Sequence, residues 1–242
     1  MTQTPMTPAT AELGGRPTAP TPSVQTEMGR AAAPAAVTIG DPAPLGLAGF
    51  GLTTLILSVV NAGWFGNKAI VPLTSSTLSM AVAYGGLAQL IAGLWAFRRG
   101  NTFAGTAFCS YGAFWFSFFL LVQLYLVPMI TNPASSDAWL GWVGLYLLAW
   151  GIFTGYMTIA SLGASKATTV VFVLLTLTFV VLAIGWFTGD KATFAASANG
   201  IINLGGYIGI LTAIAALYAS FADVTNANFK RVVLPVGAPF VS

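Results

Sequence analysis

The sequence predicts an all-α integral membrane protein whose subunit crosses the bilayer six times, and three observations carry the prediction. Of the 242 residues, 56% are apolar or aromatic and only 6% are charged, against about 25% charged in an ordinary soluble domain. Nine Lys+Arg and six Asp+Glu, with a mean hydropathy of +0.82, are too few charges to solvate a globule of this size. From Asp41 onward the apolar residues fall into six stretches, roughly 44–65, 77–97, 103–127, 139–162, 168–188 and 199–221. Each is long enough, at about 1.5 Å per residue, to cross the ~30 Å hydrocarbon core as a helix. Every Lys, Arg, Asp and Glu lies outside these stretches, as the cost of a charge in lipid requires.

The flanks differ from the spans. Residues 1–40 carry six of the 13 prolines, Pro5, Pro8, Pro17, Pro20, Pro22 and Pro34, with many Thr and Ala. Such a segment buries too little surface to offset its chain entropy and is expected to be a disordered N-terminal tail. It has no continuous apolar core of the signal-peptide kind. The expected organisation is therefore this tail, a six-helix transmembrane domain over 41–222, and a C-terminal cytoplasmic tail over 223–242.

The cations orient the spans. With the N-terminus inside, the cytoplasmic segments hold Arg16, Arg30, Arg98, Arg99, Lys166, Lys230 and Arg231, and the opposite side holds Lys68 and Lys191. The positive-inside rule then places both termini in the cytoplasm, in a cytoplasmic or plasma membrane. Trp64, Trp95, Trp139 and Trp186 fall near span ends, where an aromatic belt is expected.

Composition also removes whole classes of chemistry. There is no His, the usual catalytic base and commonest metal ligand. The single Cys109 can build neither an internal disulfide nor a thiolate metal site. No nucleophile has a base beside it, and the scattered cations form no nucleic-acid-binding patch. The sequence thus points to no enzyme, no cofactor, no metal and no nucleic-acid partner. What remains is passage of a solute by neutral polar groups and backbone.

Taken in order, the spans show where those groups lie. Span 1 opens on Asp41-Pro42-Ala43-Pro44, an expected helix start with Asp41 as cap and Pro next to it. Its exposed N–H groups can also attract an anion. Phe50, Thr54, Ser58 and Asn61 then fall on one helical face. Span 3 repeats the arrangement with Thr106, Ser110, Ala113 and Ser117, and span 6 with Asn199, Asn203 and Gly206. These faces serve either interhelical hydrogen bonding or a shared wet path. Glycines at Gly85, Gly86 and Gly93, at Gly151 and Gly155, and at Gly205, Gly206 and Gly209 predict close helix packing, within or between subunits.

Several segments resemble a known family. Asp41-Pro-Ala-Pro-Leu-Gly-Leu-Ala-Gly-Phe-Gly51 resembles the Asn-Pro-Ala-Pro-Leu-Gly-Leu signature of the acetate uptake transporter family, which includes bacterial acetate/succinate permeases. The likeness continues, in order, through Tyr84-Gly-Gly-Leu-Ala-Gln89, Gly100-Asn-Thr-Phe103, Ser110-Tyr-Gly-Ala-Phe-Trp115, Trp150-Gly-Ile-Phe-Thr154 and Phe229-Lys-Arg-Val-Val-Leu-Pro-Val-Gly237. The resemblance implies a homohexamer of six-helix subunits, each with its own pathway. It implies uptake of acetate and related short monocarboxylates, sometimes succinate, by an anion channel or by proton-coupled symport. It implies a constriction of Phe, Tyr and Leu, whose motif positions here are Phe50, Tyr111 and Leu175. Asp41, Pro42, Pro44, Thr54, Ser58, Asn61, Gln89, Asn101, Ser110 and Asn203 are the candidate pathway residues around it. The chain departs from the signature at Asp41, where the family usually has Asn. A carboxylate at an anion vestibule repels acetate unless it is protonated, paired or turned away. Two other readings stand beside acetate transport: a channel for another small solute such as ammonia or ammonium, and a non-transporting membrane sensor.

Overall fold

The computed structural model describes residues 39–64, 70–132, 138–190 and 199–241. The expected disorder of the N-terminal tail, and the loop cations Lys68 and Lys191, lie outside the described residues. Six helices are long and apolar enough to cross a membrane: α1 (Ala43–Asn61), α2 (Ser76–Arg98), α3 (Thr102–Met129), α4 (Ala138–Ser161), α5 (Lys166–Thr188) and α6 (Gly200–Phe229). Among the described residues there is no strand. The protein is an all-α, multi-pass membrane protein.

Local chemistry sets the helix starts. Asn101 caps α3 by accepting the Ala104 N–H at 3.0 Å. Ser165 caps α5 through the Thr168 N–H at 3.2 Å, and Asn199 caps α6 through those of Ile201 and Ile202. Each side-chain oxygen satisfies a donor that the first turn leaves free. The start of α1 differs from expectation. Pro42 already has helical φ and ψ of −80° and −12° and is itself the cap, its carbonyl accepting the Gly46 N–H at 3.1 Å. Asp41 therefore stands one residue outside the helix, where Oδ1 accepts the Ala43 N–H at 3.0 Å.

Two spans contain π-helical turns. In α3 the turn covers Val122–Leu126, just before Pro128, which cannot donate to the preceding turn and whose ring crowds it. The wider turn relieves that conflict. In α2 it covers Ala83–Ala88, overlapping the Tyr84–Gln89 motif. There Gly49 of α1 lies so close that an added Cβ would stand 2.7 Å from the Tyr84 carbonyl oxygen.

Span boundaries also move, and α1 ends at Asn61 instead of near residue 65. Helix α5 begins at Lys166, and α6 continues to Phe229 instead of stopping near residue 221, so Asp223 is helical. At about 1.5 Å per residue a helix of 30 residues exceeds the bilayer core, so its last turns reach beyond the apolar layer. The chain then turns at Lys230, in the left-handed region with φ 53°, and the residues after it fold back over the bundle.

Sequential helices pack antiparallel. Gly93 and Gly112 lie against backbone atoms of Cys109 and Leu90, which pairs α2 with α3. A hydrogen bond shared by the Thr158 and Thr176 hydroxyls (2.8 Å) and one from Thr169 to the Ser161 carbonyl (2.8 Å) pair α4 with α5. Thr178 and Thr212 at 3.1 Å pair α5 with α6. Helix α6 returns along α1, with Asn203 donating to the Asn61 carbonyl at 3.0 Å and Ser220 to that of Pro44 at 2.7 Å. The predicted close packing holds at Gly93, Gly205, Gly206 and Gly209. Within the subunit nothing lies within 4 Å of Gly155, and contact at Gly151 is ordinary. Lipid supplies no hydrophobic drive between helices, so this close contact and interhelical bonding hold the bundle.

Large apolar side chains cover the outside, among them Trp142 at 73% and Ile159 at 71% exposure. Trp64 and Trp95 are exposed near helix ends, as an aromatic belt requires. Trp139 departs from that expectation: it is buried, with its ring 6.0 Å from that of Trp186.

Candidate transport pathway

An aromatic cluster fills the middle of the bundle. Phe50 of α1 and Tyr111 of α3 are both buried, with ring centroids 5.7 Å apart. Tyr111 also meets Phe153 of α4 at 5.5 Å and Phe172 of α5 at 6.1 Å. Phe50 thus packs on Tyr111 and Tyr111 on Phe172, with Leu175 buried in the same core one turn beyond Phe172. Below α3's Tyr111 in sequence order, Phe114 continues the column, touching Trp150 of α4 at 5.1 Å and Phe179 of α5 at 5.4 Å.

The polar groups around this layer divide into bonded and unbonded sets. The Tyr111 hydroxyl donates to Thr154 Oγ1 at 3.0 Å, and Thr154 donates onward to the Trp150 carbonyl at 2.7 Å. Ser117 and Tyr146 share a bond of 2.7 Å. Most buried threonines return their hydroxyl to the preceding turn, as Thr53 does to the Gly49 carbonyl. Thr54 does not: it is buried one turn beyond Phe50, and its Oγ1 has no protein partner. Gln89 is fully buried and neither of its amide atoms is bonded; the indole N–H of Trp115 is in the same position. Such groups are costly to bury, by about 1–3 kcal/mol each.

The remaining candidates are more dispersed. Ser58 is buried against Gly209, and Asn61 and Asn203 are joined by the bond that ties α1 to α6. Gln89, on α2, packs beside Gly49, the residue before Phe50. Ser110 is half-buried, next in sequence to Tyr111. Asn101 is exposed and its amide oxygen caps α3. Pro42 and Pro44 form the start of α1, their carbonyls accepting from Gly46 and Ser220.

Asp41, the departure from the signature, is paired. Its Oδ1 lies 3.0 Å from the Arg99 guanidinium, with both side chains partly exposed at 56% and 36%. The arginine that follows α2 thus offsets the carboxylate that precedes α1. The antiparallel register of α1 and α6, in which Ser220 meets Pro44, places Asp223 one turn further toward this same end.

A family model for the GPR1/FUN34/yaaH family matches residues 24–238. The chain belongs to this family. Among its members, the succinate-acetate/proton symporter SatP of Escherichia coli K12 is 39% identical over 82% of this chain and 96% of its own. Acetate permease A of Emericella nidulans is 34% identical over 81% of this chain and 65% of its own. Ammonia transport outward protein 2 of Saccharomyces cerevisiae is 36% identical over 82% and 67%. A solved structure described as the bacterial acetate channel SatP superposes with a TM-score of 0.68 at 38% identity, covering 83% of this chain and all of the other. These three relatives and the solved structure carry transporter, permease or channel names, which points away from an enzyme.

Sequence reasoning missed several residues of the site. Phe153, Thr154 and Trp150 lie in the Trp150–Thr154 motif quoted above, but only the hydrogen bond of Thr154 and the ring contacts of Phe153 and Trp150 with Tyr111 place them against the aromatic layer. Trp115 ends the Ser110–Trp115 motif in the same way. The Arg99–Asp41 pair was open to inference from topology, since both residues fall at one end of the bundle.

Proposed function

We propose that the chain carries acetate and related small monocarboxylates, with succinate as a further substrate, across the cytoplasmic membrane through the interior of the six-helix subunit. The observation that carries this reading is the aromatic layer of Phe50 and Tyr111 set among unbonded polar groups, in a bundle interior without charge. Acetate has one carboxylate and one methyl. Donors such as Thr54, Gln89 and Trp115 suit the carboxylate, and the aromatic layer with Leu175 tolerates the methyl. With no fixed cation inside, binding is weak and exit is fast. Among the described residues no acid or base lines the aromatic layer. This favours a channel or facilitated pathway, or protonation of the substrate itself, over a protein-borne proton carrier.

The N- and C-termini are assigned to the cytoplasm from the cation distribution, and the subunits to a homohexamer from family resemblance. Uptake of labelled acetate by protein-loaded liposomes, with and without an imposed pH gradient, tests the substrate and the coupling together. Flux above empty liposomes without a gradient fits the channel; flux only with one fits the symporter. The second reading, ammonia, draws on the name of the yeast relative and on the same uncharged interior. Ammonia flux that acetate does not compete with would favour it over the first.

A further inference from the structure

The segment after α6 is bound to α6, to α5 and to the α4–α5 turn by hydrogen bonds that span the end of the bundle. Asn226, in the last turns of α6, holds it on both sides: Oδ1 accepts the N–H groups of Val233 (2.7 Å) and Leu234 (3.0 Å), and Nδ2 donates to the Leu234 carbonyl at 2.8 Å. The Tyr218 hydroxyl donates to the Pro235 carbonyl at 2.7 Å. The chain then reaches the α4–α5 turn. There the carbonyls of Val236 and Gly237 accept the N–H groups of Ala167 (2.9 Å) and Lys166 (3.4 Å), the first two donors of α5. The N–H groups of Phe240 and Val241 donate to the Leu162 carbonyl just after α4, and the Lys166 ammonium lies 5.3 Å from the Phe240 ring centroid.

The α4–α5 pair held in this way carries much of the aromatic layer. It is internally tied by Thr158 to Thr176 and by Thr169 to Ser161. It meets α3 through side chains: the Tyr111–Thr154 and Ser117–Tyr146 bonds and the rings of Phe103, Tyr111 and Phe172. Phe172 lies within two turns of the strapped Lys166 and Ala167. A shift at that end is therefore transmitted to the ring that packs on Tyr111.

We propose that residues 231–241 form a strap that fixes the α4–α5 pair against α6 and so sets the width of the constriction, with Asn226, Tyr218 and Phe240 as positioning residues for selectivity. This rests on the reading of Phe50, Tyr111 and Leu175 as the constriction. The test uses the full-length protein in liposomes and reads the ratio of acetate to trimethylacetate flux, together with amide hydrogen exchange over residues 161–169. In Asn226→Ala and Phe240→Ala, exchange in that segment accelerates about tenfold as its bonds open, and the flux ratio falls about threefold with oligomer size unchanged. Phe240→Tyr retains the ring and keeps both at the wild-type level. Tyr218→Phe removes one bond and serves as the milder variant should either alanine variant fail to assemble; its expected change is smaller and in the same direction. Accelerated exchange with an unchanged flux ratio overturns the proposal, as does exchange that stays slow in every variant. Tyr111→Ala separates the two readings. If it lowers the ratio and the strap variants do not, the strap alone fails; if it does not, the constriction reading fails and takes the strap with it.

Discussion

At one end of the bundle a carboxylate and a guanidinium meet at 3.0 Å, both partly in solvent. An exposed pair of this kind contributes about 0–1 kcal/mol to stability, so its consequence is electrostatic rather than structural. Asp41 holds Arg99, and while it does, the cation nearest the start of α1 is not free to attract an anion. Asp41→Asn is expected to leave the melting temperature nearly unchanged and to raise acetate uptake about threefold at neutral pH and low salt. Lower uptake in the same liposome assay would mean that the carboxylate takes a direct part. Deeper in, Gln89 offers the opposite contrast. Its amide is buried without partners, so Gln89→Leu should be neutral or stabilising by about 1–3 kcal/mol, read by thermal unfolding in detergent. If Gln89 contacts the substrate, the same variant loses about tenfold in acetate flux, whereas a packing role predicts no loss. A gain in stability accompanied by a loss of flux is the signature of a group kept for function.

The helices are held by contacts that a few small residues permit. Gly206 lies directly against the backbone of Asn61 and Ala62, so a side chain there has only backbone to displace. Gly206→Leu is expected to cost about 3 kcal/mol or more and to separate α1 from α6, measured as a lowered unfolding temperature. Lys230 is the reverse case, a residue with a side chain in the left-handed conformation that ends α6. Lys230→Gly should stabilise by about 1 kcal/mol, because glycine adopts that conformation without the steric penalty. Most of this level was legible in the sequence. Six apolar stretches bounded by charges gave six helices, because length and the exclusion of charge are one-dimensional properties. The end of α6 was not legible: Asp223 signals an end to an apolar run, but a helix that projects past the membrane tolerates it. The aromatic belt failed at Trp139 for a related reason. Position near a span end says nothing about which way a side chain faces, and here it faces Trp186.

At the scale of the molecule, one layer of rings crosses the bundle from α1 through α3 to α4 and α5. Phe50 and Tyr111 could be named from motif position, but their neighbours could not. The Tyr111–Thr154 bond joins residues 43 apart, and periodicity within a single span carries no information about such pairs. Leu175 shares the buried cluster, while Asn101, given from its motif, is occupied as a helix cap. On this reading a small carboxylate passes through this layer, and the layer decides what else can follow. The measurement that addresses it most directly is the ratio of acetate to trimethylacetate flux through purified protein in liposomes, compared between wild type and Tyr111→Ala. Wild type is expected to pass acetate and largely exclude the branched acid, and the variant to lose about tenfold in this ratio, a change of ~1.4 kcal/mol in the relative barriers. Equal ratios in the two proteins, with acetate flux intact, would contradict it.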